Sequence, residues 1–131
     1  MMESQKGAST GNNSGIYPDE ILEHNICTGS NSEKYREFKF EGFSAGTYKI
    51  RLFCSTIRAN SSSERSRWKV NVDGVETEFP IPTGFNTNNN LTQWLEQTVE
   101  VGENGFSIFW GVNSSGSYIY VPLNIIDIEK I

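Results

Sequence analysis

The feature that most constrains the fold of this chain is an alternation of apolar and polar residues that begins near residue 35. The clearest run covers residues 48–55, where Tyr48, Ile50, Leu52 and Cys54 alternate with Lys49, Arg51, Phe53 and Ser55. Successive side chains of a β-strand point to opposite faces, so a period of two indicates strands with one face toward a core. The same period recurs around Trp68 and Trp110, and we expect both indoles to lie in the core.

Turn signals divide this pattern into short segments. Asp73-Gly74 separates two alternating runs, and an Asp-Gly step suits a two-residue hairpin because both positions need positive φ. Asn104-Gly105 marks a second tight turn. Short strands separated by turns are typical of all-β sandwiches and barrels. The sequence therefore predicts an all-β fold, an antiparallel β-sandwich with a jelly-roll-like arrangement of about eight strands.

The N-terminal part of the chain has a different character. Residues 1–15 are polar and rich in Gly, Ser and Asn, which predicts a flexible polar arm because little burial would offset its ordering. Residues 18–22 (Pro-Asp-Glu-Ile-Leu) predict one short helical turn, and we expect His24 to lie in this turn. We expect a single binding domain over residues 16–131, and the arm is a candidate for assembly with a partner.

Charge and hydropathy exclude several classes of partner. The net charge is −5 and the pI is near 4.9, which argues against nucleic acid and anionic lipid, since both select basic surfaces. The chain has no apolar run of the roughly 20 residues that a membrane span requires, so we expect no membrane insertion. The two cysteines, Cys27 and Cys54, are predicted to be buried free thiols, although one disulfide is an alternative.

The sequence shows no catalytic constellation, so we predict that the chain is not an enzyme. His24 is the only histidine, and no nucleophile-elbow motif accompanies it. The spacing of His24, Cys27 and Cys54 does not suit zinc. We therefore predict no cofactor and no metal site. Structural calcium is a weaker alternative, with oxygen ligands from Asp73, Asn86, Asn88 and Asn89.

The residues best suited to bind a ligand are aromatic and amide side chains near predicted loops. A sugar is bound by stacking an aromatic ring on its apolar face while polar side chains bond its hydroxyls. We predict a ligand site composed of Trp94, Gln93, Asn88, Asn89, Tyr118 and Arg67. The competing interpretation is that Trp94 and Tyr118 only cover the sheet.

Several segments resemble one known group of domains. Residues 46–55 (GTYKIRLFCS) are similar to a characteristic strand of galactose-binding-like β-sandwich modules. Residues 67–74, 86–89, 105–108 and 123–128 resemble, in the same order, the central hairpin, the Asn-rich loop and the last two strands of that group. The resemblance covers about residues 16–131. It implies a jelly-roll domain of the kind found in carbohydrate-binding modules.

Together these features predict a non-catalytic binding module whose partner is a glycan or a protein surface on a cell or virion exterior. The chain starts at Met1 and shows no apolar signal-peptide region, as expected for a phage protein that is released by lysis. The alternative function is therefore a structural phage accessory protein, associated with a capsid or tail, that mediates assembly.

Overall fold

A computed structural model describes residues 24–56, 64–87 and 90–131, and it also describes the backbone of residues 3–6. These residues form ten strands and no helix. The strands are β1 (Glu3–Lys6), β2 (His24–Ser30), β3 (Lys34–Phe40), β4 (Gly46–Phe53), β5 (Ser66–Val72), β6 (Val75–Glu78), β7 (Trp94–Val101), β8 (Phe106–Val112), β9 (Ile119–Leu123) and β10 (Ile125–Lys130). All of the strand pairs in the described residues are antiparallel, which confirms the predicted all-β, antiparallel class.

The strands form three sheets, with the orders β1-β2-β9, β10-β4-β7 and β3-β8-β5-β6. The first two sheets are joined because β9 and β10 are separated by Asn124 alone. The N–H of Asn124 donates to the carbonyl of Phe53 (2.9 Å), and its side-chain oxygen accepts from the N–H of Ser55 (2.8 Å). One C-terminal segment therefore pairs with β2 through its first half and with β4 through its second half.

The hydrophobic core lies between the β3-β8-β5-β6 sheet and the other two sheets. Its members include Ile50 and Leu95 on one side and Val70 and Ile108 on the other, all fully buried. The predicted core tryptophans are confirmed, with Trp68 and Trp110 being 2% and 0% exposed. Each indole N–H crosses the core to a backbone carbonyl at 3.1 Å, from Trp68 to Pro122 and from Trp110 to Ile26. Both buried donors are thus satisfied.

The two predicted tight turns are present. Asp73 and Gly74 have φ values of 51° and 85° and connect β5 to β6, with Val72 opposite Val75. Gly105 has a φ of 72°, and a Cβ built on it would lie 1.9 Å from the carbonyl oxygen of Phe40. Glycine is therefore required at this turn for both its φ and the close approach of the neighbouring backbone.

Other details differ from the prediction. The described residues contain ten strands instead of about eight, because β1 and β2 were not predicted. β1 lies within residues 1–15, and His24 is the first residue of β2 and not part of a helical turn. The predicted helical turn at residues 18–22 lies outside the described residues. The sequence predicts a strand over residues 91–101, whereas β7 starts at Trp94.

Candidate functional site

A concave part of the described surface with an apolar wall lies where the loop after β6 passes the start of β5. Two adjoining clefts of about 340 and 450 Å³ lie on either side of Ile81, and we call them together the Ile81 cleft. One side is lined by Glu64, Ser66, Trp68, Ile81, Pro82, Gly84, Phe85 and Thr87, and the other by Glu64, Arg67, Glu78, Phe79, Pro80 and Ile81. These volumes are in the range of small-ligand sites.

The wall of the Ile81 cleft is largely apolar. The ring of Phe85 lies perpendicular to the indole of Trp68, with 6.2 Å between the ring centroids. Trp68 is almost fully buried, so it forms the floor of the cleft. Ile81 is 43% exposed between two prolines that cannot donate backbone hydrogen bonds. An apolar ligand face would therefore contact Ile81 and Phe85.

Arg67 provides the fixed charge at the rim of the cleft. Its Nε lies 3.2 Å from a carboxylate oxygen of Glu78, and its Nη1 donates to the carbonyls of Glu64 and Ser66. Three acceptors on three different residues hold the guanidinium in one orientation. Among the described residues none accepts from Nη2, and guanidinium donors in a fixed fork suit carboxylate and hydroxyl oxygens.

Asn90 holds the segment between the cleft loop and β7, and its backbone N–H donates to the carbonyl of Thr87 in that loop (3.3 Å). Its side-chain amide donates to the carbonyls of Cys54 (3.1 Å) and Gln93 (2.8 Å), and its side-chain oxygen accepts from the N–H groups of Thr92 (3.3 Å) and Gln93 (3.0 Å). The backbone carbonyl of Asn90 also accepts from the Ser55 hydroxyl. This buried amide fixes the loop against the end of β4 and sets the start of β7.

Trp94 lies on the outer face of the β10-β4-β7 sheet. The guanidinium carbon of Arg51 lies 4.8 Å from the indole centroid, and Asp127 accepts from Nε (2.9 Å) and Nη2 (2.6 Å) of the same arginine. Phe53, predicted on the outer face of its strand, is on that face but fully buried under Leu91, Trp94 and Ile125. Trp94 therefore packs against both Phe53 and Arg51, and part of its side chain remains exposed to solvent.

Tyr118 lies over the β1-β2-β9 sheet. Its ring packs edge-on against Tyr120, with 5.1 Å between centroids, and it is 43% exposed. A Cβ on Gly29 would lie 2.6 Å from the Tyr118 hydroxyl, so glycine permits the ring to lie flat against β2. The preceding turn is held by Arg65, which donates to the carbonyls of Ser114 and Ser117.

The described members of the predicted ligand site lie on different parts of the fold. Arg67 follows the buried Ser66 and points to the outside of the β3-β8-β5-β6 sheet, whereas Trp94 and the neighbouring exposed Gln93 lie on the opposite layer. Tyr118 lies over the third sheet. Asn88 and Asn89 fall outside the described residues. Of the predicted residues, Arg67 lines the Ile81 cleft.

The other residues of this cleft carry little signal in the sequence. Glu64 and Glu78 were indistinguishable from solvated acids, and Phe85 stood beside a polar Asn-rich run. The available signal was the Pro80-Ile81-Pro82 tripeptide, because an isoleucine between two prolines is exposed unless another element covers it.

The described residues contain no group of three or more His, Cys, Asp and Glu side chains that could hold a metal ion. The suggested calcium ligands are also separated: Asp73 follows the C-terminal end of β5, whereas Asn86 adjoins Phe85, which contacts Trp68 near the other end. Both cysteines are buried thiols, as predicted. Burial raises the pKa of the Cys54 thiol well above its ordinary value, and the nearby Cys27 adds to the effect.

No protein-family model, curated protein or solved structure matches the chain. In the part of the chain that the structure describes, no helix has the length and apolar character of a membrane span.

Proposed function

We propose that this chain is a non-catalytic carbohydrate-binding module and that a short glycan binds in the Ile81 cleft. The observation that carries the proposal is the pairing of an apolar wall at Ile81 and Phe85 with an oriented guanidinium at Arg67. Lectin-like sites need a partly apolar concave surface with a few fixed polar groups. The resemblance to galactose-binding-like modules supports the same class of ligand.

The chemistry of the cleft suits a sugar ring. The C–H face of one pyranose can pack on Ile81 while its hydroxyls accept from the Arg67 guanidinium, and a neighbouring ring of the same glycan can contact Phe85 on the other side of Ile81. Glu64 lines both sides of the cleft and can accept from other hydroxyls. Because the ion pair with Glu78 already holds Arg67, little side-chain entropy is lost when a ligand binds.

A glycan array followed by calorimetric titration of each positive glycan tests the proposal. We expect Arg67→Ala to weaken binding by about tenfold or more, the loss typical of a hydrogen bond from a charged donor. Ile81→Ala should also weaken binding, and its partial exposure makes a folding defect small. Lys49→Ala is the matched control, because it removes one cation from the opposite layer.

Tryptophan fluorescence gives a second readout, since Trp68 forms the floor of the cleft. In a Trp94→Phe background, a bound glycan should still shift the emission. Loss of binding in Trp94→Ala with no change in Arg67→Ala would move the site away from the cleft. Failure of every glycan on the array would refute carbohydrate binding.

A second candidate function is structural, as a phage accessory protein that mediates assembly on a virion exterior. The observation that favours it is β1, a four-residue strand from the N-terminal arm that pairs with β2 from Glu3↔Cys27 to Lys6↔His24. A short terminal strand on a sheet edge is an element that subunits can exchange. Deleting residues 2–6 should then reduce oligomer size in light scattering, and an unchanged monomer in both forms would exclude this role.

A further inference from the structure

A separate feature, outside the Ile81 cleft, lies where the terminal strands β6 and β7 of the two facing layers approach each other. The side-chain amide of Gln97, on β7, spans this gap. Its Nε2 donates to the carbonyl of Glu78 on β6 (2.9 Å), and its Oε1 accepts from the backbone N–H of Thr98 (3.0 Å). One amide side chain thus makes the two bonds that a peptide group of an added strand would make.

These bonds show which backbone groups face the gap. The N–H of Thr98 points away from β4, since it bonds to the Gln97 side chain. Backbone groups of an antiparallel strand alternate in direction, so those of Glu96 and Glu100 also point to the open edge. On the side opposite β4, three residues of β7 therefore have backbone N–H and C=O groups that could pair with an added strand.

A groove of about 340 Å³ runs beside this edge. It is lined by Val72, Val75 and Thr77 from β5 and β6 and by Thr98, Val99 and Glu100 from β7. Val75 is strongly exposed there. An extended segment paired with β7 could place every second side chain over these valines and the others in solvent.

The β7 edge lacks the protection that the β3 edge has. β3 carries two lysines, Lys34 and Lys39. Arg36 lies on the same face of β3 as Phe38 and Phe40, which pack against the core. The Arg36 Nε is buried and has no hydrogen-bond partner within the described ranges. Lysines and inward charges on an edge strand oppose the addition of another strand. β7 contains no lysine, arginine or proline.

The charges at the β7 edge select the partner. Glu96 and Glu100 flank Thr98 on the outer face, and Glu96 makes no ion pair with any residue in the described ranges. Pairing two copies of β7 about Thr98 would place Glu96 opposite Glu100 twice, which opposes self-association. A segment with Lys or Arg at alternate positions would instead place cations beside these carboxylates.

From this geometry we infer that the β7 edge binds an extended basic segment of another polypeptide by β-strand addition. The segment alternates Lys or Arg on the outer face with small apolar residues in the groove, and its backbone replaces the Gln97 amide at Thr98. Backbone ladder bonds supply affinity and the alternate side chains supply specificity.

The probe is a capped hexapeptide of alternating lysine and valine, titrated into the full chain and followed by amide NMR shifts and anisotropy. We expect shifts at residues 96–100 and slower amide exchange at Thr98. Gln97→Ala should tighten binding by about fivefold, because the competing side-chain amide is gone. Gln93→Ala, another exposed glutamine, should leave affinity unchanged.

Two further comparisons separate strand addition from general attraction of charge. Glu96→Lys with Glu100→Lys should weaken binding by about tenfold or more. A peptide with the same side chains and N-methylated backbone amides should not bind. Equal binding of the N-methylated peptide, or weaker binding by Gln97→Ala, would overturn the inference, as would shifts confined to other strands.

Discussion

Asn90 gives the sharpest test of how the fold supports the candidate site. We expect Asn90→Ala to destabilise the chain because four side-chain hydrogen bonds in a largely buried position are lost together. A typical hydrogen bond contributes about 0.5–1.5 kcal/mol net. The groups on Thr92 and Gln93 can partly rehydrate because these residues are exposed. The Cys54 carbonyl belongs to a fully buried residue, so its desolvation persists.

These contributions give an expected loss of about 2–4 kcal/mol in the free energy of unfolding. For a urea m value of about 2 kcal/mol/M, the midpoint should fall by about 1–2 M. Urea unfolding followed by tryptophan fluorescence measures it directly. Asn104→Ala is the matched control, since that exposed amide makes one bond, to Asp73 at 3.2 Å. We expect its midpoint to stay within about 0.3 M of the parent.

The outcome also bears on binding. If Asn90 positions the loop, Asn90→Ala should weaken glycan binding in the Ile81 cleft even at urea concentrations far below its midpoint. A loss of less than about 1 kcal/mol, similar to that of Asn104→Ala, would refute the reasoning that this amide organises the loop.

Three other predictions follow from the packing. Gly105→Ala should lower the free energy of unfolding by about 3 kcal/mol or more, and Gly42→Ala by about 1 kcal/mol, as measured by thermal unfolding. Both glycines have positive φ, but only a Cβ at position 105 would clash with a backbone carbonyl of β3. Because burial raises the pKa of Cys54 in the folded state, the thiol ionises at lower pH in the unfolded chain than in the folded one, and the free energy of unfolding should fall as the pH rises above about 8.5. In Cys54→Ala the free energy of unfolding should depend less on pH over the same range. Trp110→Phe should lose about 2–4 kcal/mol in urea unfolding through a missing bond to β2 and a cavity, whereas Trp94→Phe should lose less than about 1 kcal/mol.

The strands that were predictable are those with one buried face. β4 and β8 alternate in burial as they alternate in sequence, so parity alone assigned Ile50, Leu52 and Ile108 to the core. β2 was missed for the same physical reason. Cys27 through Ser30 are all buried, so both faces of the strand are covered and its residues need not alternate.

The candidate site was less predictable because its parts come from distant segments. Arg67 could be selected from its own strand, but Ile81 joins it only through the path of the loop after β6. Phe53 shows the converse limit. Parity placed it on an outer face correctly, yet the residues that cover it, Leu91 and Ile125, are brought there by pairing with other strands. The local alternation predicts the face to which a side chain points, but it does not predict which residues from other segments will cover that side chain.

The single residue between β9 and β10 has a consequence for the whole C-terminal segment. Ile119, Val121 and Leu123 are core residues with odd numbers, while Ile126 and Ile128, with even numbers, pack against the same core. At Asn124 the alternation of inward and outward side chains in the C-terminal segment is therefore shifted by one residue. Deleting Asn124 would bring Ile126 and Ile128 into the same alternation as Ile119, Val121 and Leu123, so that one uninterrupted strand could turn all of them to one face. The division of the C-terminal segment into β9, paired with β2, and β10, paired with β4, therefore depends on this asparagine as a spacer.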